Sequence, residues 1–346
     1  MILFKSKSRK GANVVRLTRK SLIFAVSVLL MTTTLTSCSK AEESTQMFAD
    51  VILLDISGSS SNSVGTFNSE DHSVTSLSSR AQQLRQKLST ALGERHAIYF
   101  GFVRKTYGQQ QIETLISPKL IQLMDKILEE DVKDPQLRKD ARSGVLGAWR
   151  QVIVDNPKLA DSEDCRTKLS TKISSDSNGS ITDIHASQLA SSLCSNAQSA
   201  NSQINGLSNA PENIGSEIQA AVDRSIEKLS SDERRLVNSQ GRQISLIPTI
   251  ILVSDLVQVT NGAKILNTLA SDAKPSDSCE RARSEAKNYE VRIANIVLIS
   301  DGFASTKKNI DTNLRDKLRE YWKCWLETRG ITDIDLGTRG INLGDI

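Results

Sequence analysis

The sequence lacks the features that mark a nucleic-acid-binding surface or a redox centre. Aromatic residues make up only 4% of the 346 positions. No basic stripe is interleaved with aromatic side chains, as a nucleic-acid-binding surface would require. No two of the five cysteines are spaced Cys-x-x-Cys, which argues against a soft-metal or redox site. We therefore expect neither of these two classes of protein.

Histidine is scarce as well, and this bears on hydrolytic chemistry. The chain has three histidines, His72, His96 and His185. None of them lies in a Gly-x-Ser-x-Gly setting or after a late strand, where a Ser-His-Asp hydrolase would need it. The sequence therefore disfavours a hydrolase of this type.

The first apolar run of the chain has the form of a signal peptide. Seven basic residues precede residues 22–31, an apolar stretch too short to span a bilayer comfortably. The stretch leads into Leu35-Thr36-Ser37-Cys38, which resembles the bacterial lipoprotein box. That resemblance implies cleavage before Cys38 and lipidation of its thiol.

We accordingly predict a signal peptide over residues 1–37 and a linker over residues 38–47. An ordinary cleaved signal peptide with an incidental cysteine is the alternative, but the small residues directly before Cys38 favour lipidation. The protein would then be exported and held on a bacterial membrane by acyl chains alone. Its body would lie in water on the periplasmic or cell-surface side.

The net positive charge belongs to this leader. The chain has 44 basic and 40 acidic residues, and the leader holds seven of the basic ones and none of the acidic ones. The remaining chain therefore has 37 basic and 40 acidic residues, a net charge of −3. This balance is typical of an ordinary solvated body.

The other four cysteines fit an exported protein. Cys165, Cys194, Cys279 and Cys324 are even in number, as expected in a compartment that permits disulfides. Three pairings are possible. We prefer the local pairs Cys165–Cys194 and Cys279–Cys324, because the first would staple one Ser/Asn-rich region and the second would tie the last two helices together.

The principal motif of the chain is Asp55-x-Ser57-x-Ser59. It follows the apolar, β-branched run 51–54, which predicts a buried strand that delivers Asp55 to a loop at its carboxyl end. One carboxylate and two hydroxyls, spaced two apart, are hard oxygen ligands that suit Mg²⁺, Mn²⁺ or Ca²⁺. A strand-to-helix turn capped by Asp and Ser is the alternative. The motif resembles the start of the metal-ion-dependent adhesion site in the von Willebrand factor A (vWA) domain family.

The order of predicted elements indicates an α/β fold. Strands that alternate with helices imply a doubly wound, mostly parallel sheet with helices on both faces, a three-layer architecture that matches the vWA fold. The predicted strands are 51–55, 97–103, 111–116, 246–255 and 291–299. The predicted helices are 76–92, two within 118–154 broken near Asp134-Pro135, 212–229, 263–270 and 307–328.

One domain accounts for the mature chain in this interpretation. We place it at residues 48–330, with a loose tail at 331–346. Residues 155–210 are crowded with Ser, Asn, Asp and Gln, so we expect an insertion that is helical only from 182 to 196 and is functional or mobile. We detect no internal repeat and no second core.

The vWA resemblance implies two further ligands, an Asp after the fourth strand and a Thr before a later helix. Asp255 and Asp301 compete for the first place, and Asp255 is favoured because it leaves 291–299 as a fifth strand. Glu212 stands where the Thr is expected, in the stretch Glu212-Asn213-Ile214-Gly215-Ser216. Thr182 is the alternative ligand, and helix capping is an equal alternative for both.

The resemblance implies a binding function without catalysis. The cation would keep an open position for an acidic residue of a protein partner. An Asp-dependent metal phosphohydrolase is one alternative, but Ser57 replaces the second Asp that such enzymes use as acid and base. A structural lipoprotein with a degenerate metal site is the other, and Glu212 is the feature that favours it.

Overall fold

The computed structural model describes residues 46–55, 77–103, 111–207, 217–238, 241–257, 259–260, 263–286, 293, 295–300 and 311–337. All of them belong to one compact unit, Ser44–Ile346. The predicted signal peptide and Cys38 lie outside the described residues. Within the described part of the chain, no helix is long and apolar enough to cross a membrane.

A six-stranded, mostly parallel sheet forms the centre of the molecule, with the strand order β3-β2-β1-β4-β7-β8. The predicted α/β fold class is therefore confirmed. Only the edge strand β3 runs antiparallel to its neighbour. The strands are β1 (Gln46–Asp55), β2 (His96–Val103), β3 (Ile112–Ile116), β4 (Ser245–Val253), β5 (Val259–Thr260), β6 (Ala263–Lys264), β7 (Ile296–Ser300) and β8 (Ile331–Leu336), of which β5 and β6 form a separate pair.

The central strand β1 shows why the sequence folds this way. Residues 49–55 are all buried, because parallel strands covered by helices on both faces need apolar side chains on both. Helices α1 (Leu77–Glu94) and α6 (Ile218–Glu233) cover opposite faces. Lys87 of α1 reaches Asp50 on one face, and Asp232 of α6 accepts a hydrogen bond from the Tyr99 hydroxyl on the other.

Nine α-helices are described. They are α1 (Leu77–Glu94), α2 (Pro118–Asp131), α3 (Pro135–Arg150), α4 (Cys165–Asp176), α5 (Asp183–Leu207), α6 (Ile218–Glu233), α7 (Ile265–Ala270), α8 (Pro275–Glu285) and α9 (Thr312–Glu327). The predicted break before Pro135 is confirmed. The Asp134 carboxylate accepts hydrogen bonds from the backbone N–H groups of Gln136 and Leu137, and Pro135 occupies the first turn of α3, where its missing N–H costs nothing.

The insertion is far more ordered than we predicted from its composition. It contains α4 and α5, and α5 continues to Leu207 instead of ending at residue 196. The cause is an apolar stripe with helical spacing that the average composition hides. Its buried members are Ala186, Leu189, Ala190, Leu193, Ala197, Ala200 and Ile204. The prediction of a mostly irregular segment was wrong.

Asn201 ties this insertion to the body of the domain. Its side chain is 2% exposed, and its amide nitrogen donates to the carbonyls of Val152 and Pro157, at 3.0 and 2.9 Å. Val152 lies in a short π-helix, Gln151–Asp155, that extends α3. The buried amide therefore satisfies two carbonyls of the irregular segment that leads into the insertion.

We expect Asn201→Ala to lower the free energy of unfolding by about 1–3 kcal/mol, because one buried and one half-buried carbonyl would lose their donor. Urea unfolding would measure the change. The matched control is Ser202→Ala on the exposed side of α5, for which we expect a change within about 0.5 kcal/mol. Equal effects of the two variants would contradict this role for Asn201.

The residues directly after Gly330 form a strand, which corrects the prediction of a loose tail for this part of the chain. Residues Ile331–Leu336 form β8, which pairs in parallel with β7. Gly330 ends the preceding turn with a φ of +75°, a conformation that glycine adopts without strain. The exposed Asp333 and Asp335 interrupt the apolar residues of β8, and this weakened the strand signal in the sequence.

Both disulfides of the structure are those preferred from the sequence. Cys165–Cys194 joins α4 to α5, and Cys279–Cys324 joins α8 to α9. Helix α8 had not been predicted. It is strongly charged, with only Ser278 and Ala282 buried, so its apolar pattern is too thin to be recognised.

Candidate functional site

The strand order directs attention to the carboxyl ends of β1 and β4. The strands that follow β1 are added first on one side of it, as β2, and later on the other side, as β4. The order in which strands are added therefore reverses between β1 and β4, which makes this the topological switch point of the sheet. In open α/β sheets, ligands bind at this switch point, outside the carboxyl ends of the strands. Asp55 ends β1, and Asp255 follows β4 by two residues.

Asp55 is fully buried and directly linked to the end of β4. The β1–β4 register pairs Leu54 with Val253, which places Ser254 beside Asp55. The Ser254 hydroxyl donates a hydrogen bond of 2.7 Å to Asp55 Oδ2. Both side chains are 0% exposed. The sequence alone does not reveal the contact between Ser254 and Asp55, because it depends on the register of the two strands.

A tight turn holds Asp255 at the same edge. The Asp255 side chain is 1% exposed, and its Oδ1 accepts a hydrogen bond from the backbone N–H of Val257 at 2.9 Å. The Ser254 hydroxyl in turn accepts from the Leu256 N–H at 3.1 Å. Leu256 has a φ of +60°, an unusual left-handed conformation for a non-glycine residue. The two side chains that cap the turn therefore support a strained backbone.

Helix α9 fixes this turn from behind. The indole N–H of Trp322 donates to the Leu256 carbonyl at 2.8 Å, and Trp322 is 1% exposed. The ring also makes edge-on contacts with Tyr321 and Trp325, at 5.6 and 5.7 Å between centroids. The position of Asp255 is thus coupled to the core under α9.

Strand β7 adds Ser300 to the buried polar residues of this edge. Ser300 is 2% exposed and pairs with Leu252 in the sheet register. Asp301, the competing candidate ligand, lies outside the described residues. It follows β7, which is separated from β1 by β4, whereas Asp255 follows the strand adjacent to β1. Asp255 was preferred because it leaves 291–299 as a further strand, and Ile296–Ser300 do form the strand β7.

The remaining predicted ligands fall into two groups. Ser57, Ser59 and Glu212 lie outside the described residues. Thr182 is described, and it caps the start of α5: its hydroxyl accepts from the His185 N–H at 3.4 Å and donates to Asp131 Oδ2 at 3.1 Å. The structure therefore places Thr182 beside Asp131, at the end of α2.

The contacts with Thr182 and His185 stabilise the ionised form of Asp131. Desolvation raises the pKa of Asp131, but hydrogen bonds from the backbone of Thr182, from His185 and from the Thr182 hydroxyl lower it below its usual value. His185 Nδ1 lies 2.9 Å from Asp131 Oδ1. These contacts join the insertion to α2 and account for Thr182 as a structural residue.

The chemistry of the carboxyl edge suits a hard cation. The described side chains supply two carboxylates, Asp55 and Asp255, and the hydroxyls of Ser254 and Ser300, all oxygen donors of the kind that Mg²⁺ and Ca²⁺ take. Among the described residues, no group of three or more His, Cys, Asp or Glu could hold a metal ion. Any complete ligand set at this edge would therefore include Ser57, Ser59 or another residue of the loops.

Comparison with known proteins adds no family to these findings. No protein-family model matches the chain, and no curated protein matches it.

Proposed function

We propose that the chain is an exported, lipid-anchored protein whose α/β domain binds a protein partner through a divalent cation. The observation that carries this proposal is the buried contact between Asp55 and Ser254 at the switch point of the sheet. This contact places the predicted ligand Asp55 beside Ser254, the residue directly before Asp255. The Asp55-x-Ser57-x-Ser59 motif and its resemblance to the vWA family support the same conclusion.

The proposed site divides its roles among residues of this chain. Asp55, Ser57, Ser59 and Asp255 would hold Mg²⁺, Mn²⁺ or Ca²⁺ through their side-chain oxygens. The cation supplies a positive centre with an open position, which the carboxylate of an acidic residue on the partner fills. Ser254 keeps the Asp55 carboxylate oriented, and the turn at Leu256 keeps Asp255 at the same edge. No catalytic residue is required.

Glu212 remains the proposed ligand in the place where the vWA family has Thr. The involvement of Thr182 with Asp131 favours Glu212 over Thr182. A third carboxylate would add negative charge to the site and weaken the attraction of the cation for an acidic partner. This charge is the physical argument for the alternative function, a structural lipoprotein whose metal site is degenerate.

Thermal unfolding with and without divalent cations tests the proposal. A ligand that binds only the folded state at about 100 times its Kd stabilises that state by about 2.7 kcal/mol. We therefore expect Mg²⁺ or Mn²⁺ to raise the Tm by several degrees, and Asp55→Asn to abolish the increase. Asp140→Asn, on the exposed surface of α3, is the matched control and should keep it.

Asp55 is buried, so Ser57→Ala provides a second variant whose fold is less at risk. Loss of the cation response in both variants, together with chelator-sensitive capture of a partner by the wild-type protein, would support the adhesion function. An identical Tm with and without cation in the wild type would refute the metal site. Turnover of a generic phosphate ester that Asp55→Asn eliminates would instead favour the phosphohydrolase.

A further inference from the structure

A cavity lined in part by charged side chains lies at the opposite end of the sheet from Asp55. Strand β3 runs antiparallel to β2 and ends near the amino end of β2, where Ile116 pairs with Ile98. Helix α2 begins there, and α6 ends nearby, ahead of β4. Between them is a cavity of about 250 Å³. It is lined by Thr114, Ser117, Pro118, Lys119, Lys228, Asp232, Arg235 and Leu236.

Three cations and one carboxylate determine the charge of this cavity. The carboxylate of Asp232 is already engaged, because Lys228 Nζ lies 3.2 Å from it and the Tyr99 hydroxyl donates to it at 3.0 Å. Among the described residues, the side chains of Lys119 and Arg235 have neither a hydrogen bond nor an ion pair. Both side chains are exposed to solvent, and no described carboxylate pairs with their two positive charges.

The start of α2 adds to this positive character. Ser117 caps the helix by accepting a hydrogen bond from the Leu120 N–H at 3.1 Å, and Pro118 and Lys119 form its first turn. Pro118 has no N–H and Ser117 already accepts from the Leu120 N–H, so the first turn offers an anion at most the N–H of Lys119. The helix dipole adds partial positive charge at this end. Both effects favour an anion beside the two uncompensated side chains.

A second cavity extends the first along α6. It has a volume of about 370 Å³ and shares Lys228 with the first. Ile112, Arg224, Glu227 and Ser231 complete its lining, and Glu227 is paired with Arg224 at 2.8 Å. This second space is charge-balanced, so it would accommodate the uncharged part of a molecule whose anionic group lies next to Lys119 and Arg235.

We propose that Lys119 and Arg235 form a binding site for the oxyanion of a small molecule, a phosphate or a carboxylate. Arg235 presents a planar guanidinium that can donate two parallel hydrogen bonds to such a group, and Lys119 adds a point charge. Lys228 remains attached to Asp232 and closes one side of the cavity. The site lies at the other end of the sheet from the proposed cation, so it does not depend on that cation.

Titration calorimetry with inorganic phosphate, and separately with acetate, tests this site and distinguishes the two oxyanions. Each titration is run at constant ionic strength, because exposed charges are screened by salt. We expect one of the two anions to bind the wild-type protein. Lys119→Gln with Arg235→Gln should weaken that binding roughly a hundredfold, as expected from the loss of two charge-assisted hydrogen bonds.

The matched control is Lys139→Gln with Arg166→Gln, which removes the same charge from two exposed positions. It should bind the anion as tightly as the wild type. Failure of both anions to bind the wild type, or equal weakening in the two double variants, would overturn the site. Tm measurements with Mg²⁺ on the two double variants distinguish failure of the anion site from failure of the cation site. The Tm increase caused by Mg²⁺ should be unchanged in both double variants.

Discussion

Trp322→Ala should lower the free energy of unfolding by about 3–5 kcal/mol, the range measured for truncation of a large buried aromatic side chain. Trp322 is 1% exposed and packs edge-on against Tyr321 and Trp325. Its removal would leave a cavity under α9 and an unsatisfied Leu256 carbonyl. Urea unfolding followed by circular dichroism would measure the loss.

Trp322→Phe separates packing from the hydrogen bond. Phenylalanine keeps most of the apolar ring but cannot donate to Leu256, so we expect a smaller loss of about 1–3 kcal/mol. If the turn at Leu256 also positions Asp255, this variant should reduce the Tm increase caused by divalent cation. A loss below about 1 kcal/mol for Trp322→Ala would show that α9 does not support the turn.

The sheet could be predicted from the sequence where its strands contain an unbroken apolar run. The runs that became β1, β2, β4 and β7 are each bounded by polar or turn-forming residues, and their alternation with helices indicates a parallel sheet. Strand β8 could not be predicted in this way, because Asp333 and Asp335 give it the composition of a surface segment. Its place follows from pairing with β7, a long-range contact that local patterns do not encode.

The prediction for the insertion was wrong for a different reason. Its composition is polar on average, but α5 buries small alanines at helical spacing against the rest of the domain. A stripe of alanines carries little hydrophobicity per residue, so the amphipathic signal is weak although the packing is close. The disulfide to Cys165 was the best sequence indication that this region is held to a fixed structure.

The candidate site could be predicted in part, through its position in the topology. Asp55 and Asp255 were identified because each follows an apolar run that predicts a strand. Ser254 was missed as a partner of Asp55, since only the register of β1 against β4 brings the two side chains together. Thr182 was the alternative ligand in the place of the Thr, but its contacts with Asp131 and His185 make it the cap of α5.

Lys87→Met should cost about 3–5 kcal/mol at neutral pH, because it removes one partner of a buried ion pair. Lys87 Nζ lies 2.9 Å from Asp50 Oδ2, and the two side chains are 5% and 6% exposed. The same carboxylate oxygen is 3.0 Å from His96 Nδ1. Methionine would fill the space of the lysine stem but leave the Asp50 carboxylate without its main counter-charge.

The double variant Asp50→Asn with Lys87→Met is the matched control. It removes both charges, so no uncompensated carboxylate remains buried, and we expect it to be more stable than Lys87→Met alone. A double-mutant cycle in urea would give the coupling energy of the pair. If the double variant were as unstable as the sum of the two single ones, the ion pair would have no specific role.

The pH dependence of Lys87→Met follows from the pKa of Asp50. Burial raises this pKa, but the hydrogen bond from His96 and the charge of Lys87 outweigh it, so the pKa in the folded wild type lies below the ordinary 3.8. The stabilisation from Asp50 is therefore present above pH 3.8 and is lost as the pH falls through the lowered value.

Without Lys87, burial should raise the pKa of Asp50, so that the carboxyl becomes neutral at a higher pH than in the wild type. We therefore expect the stability deficit of Lys87→Met to narrow as the pH falls toward 3.8. A deficit that stayed constant over this range would mean that lost packing, and not the buried charge, causes it.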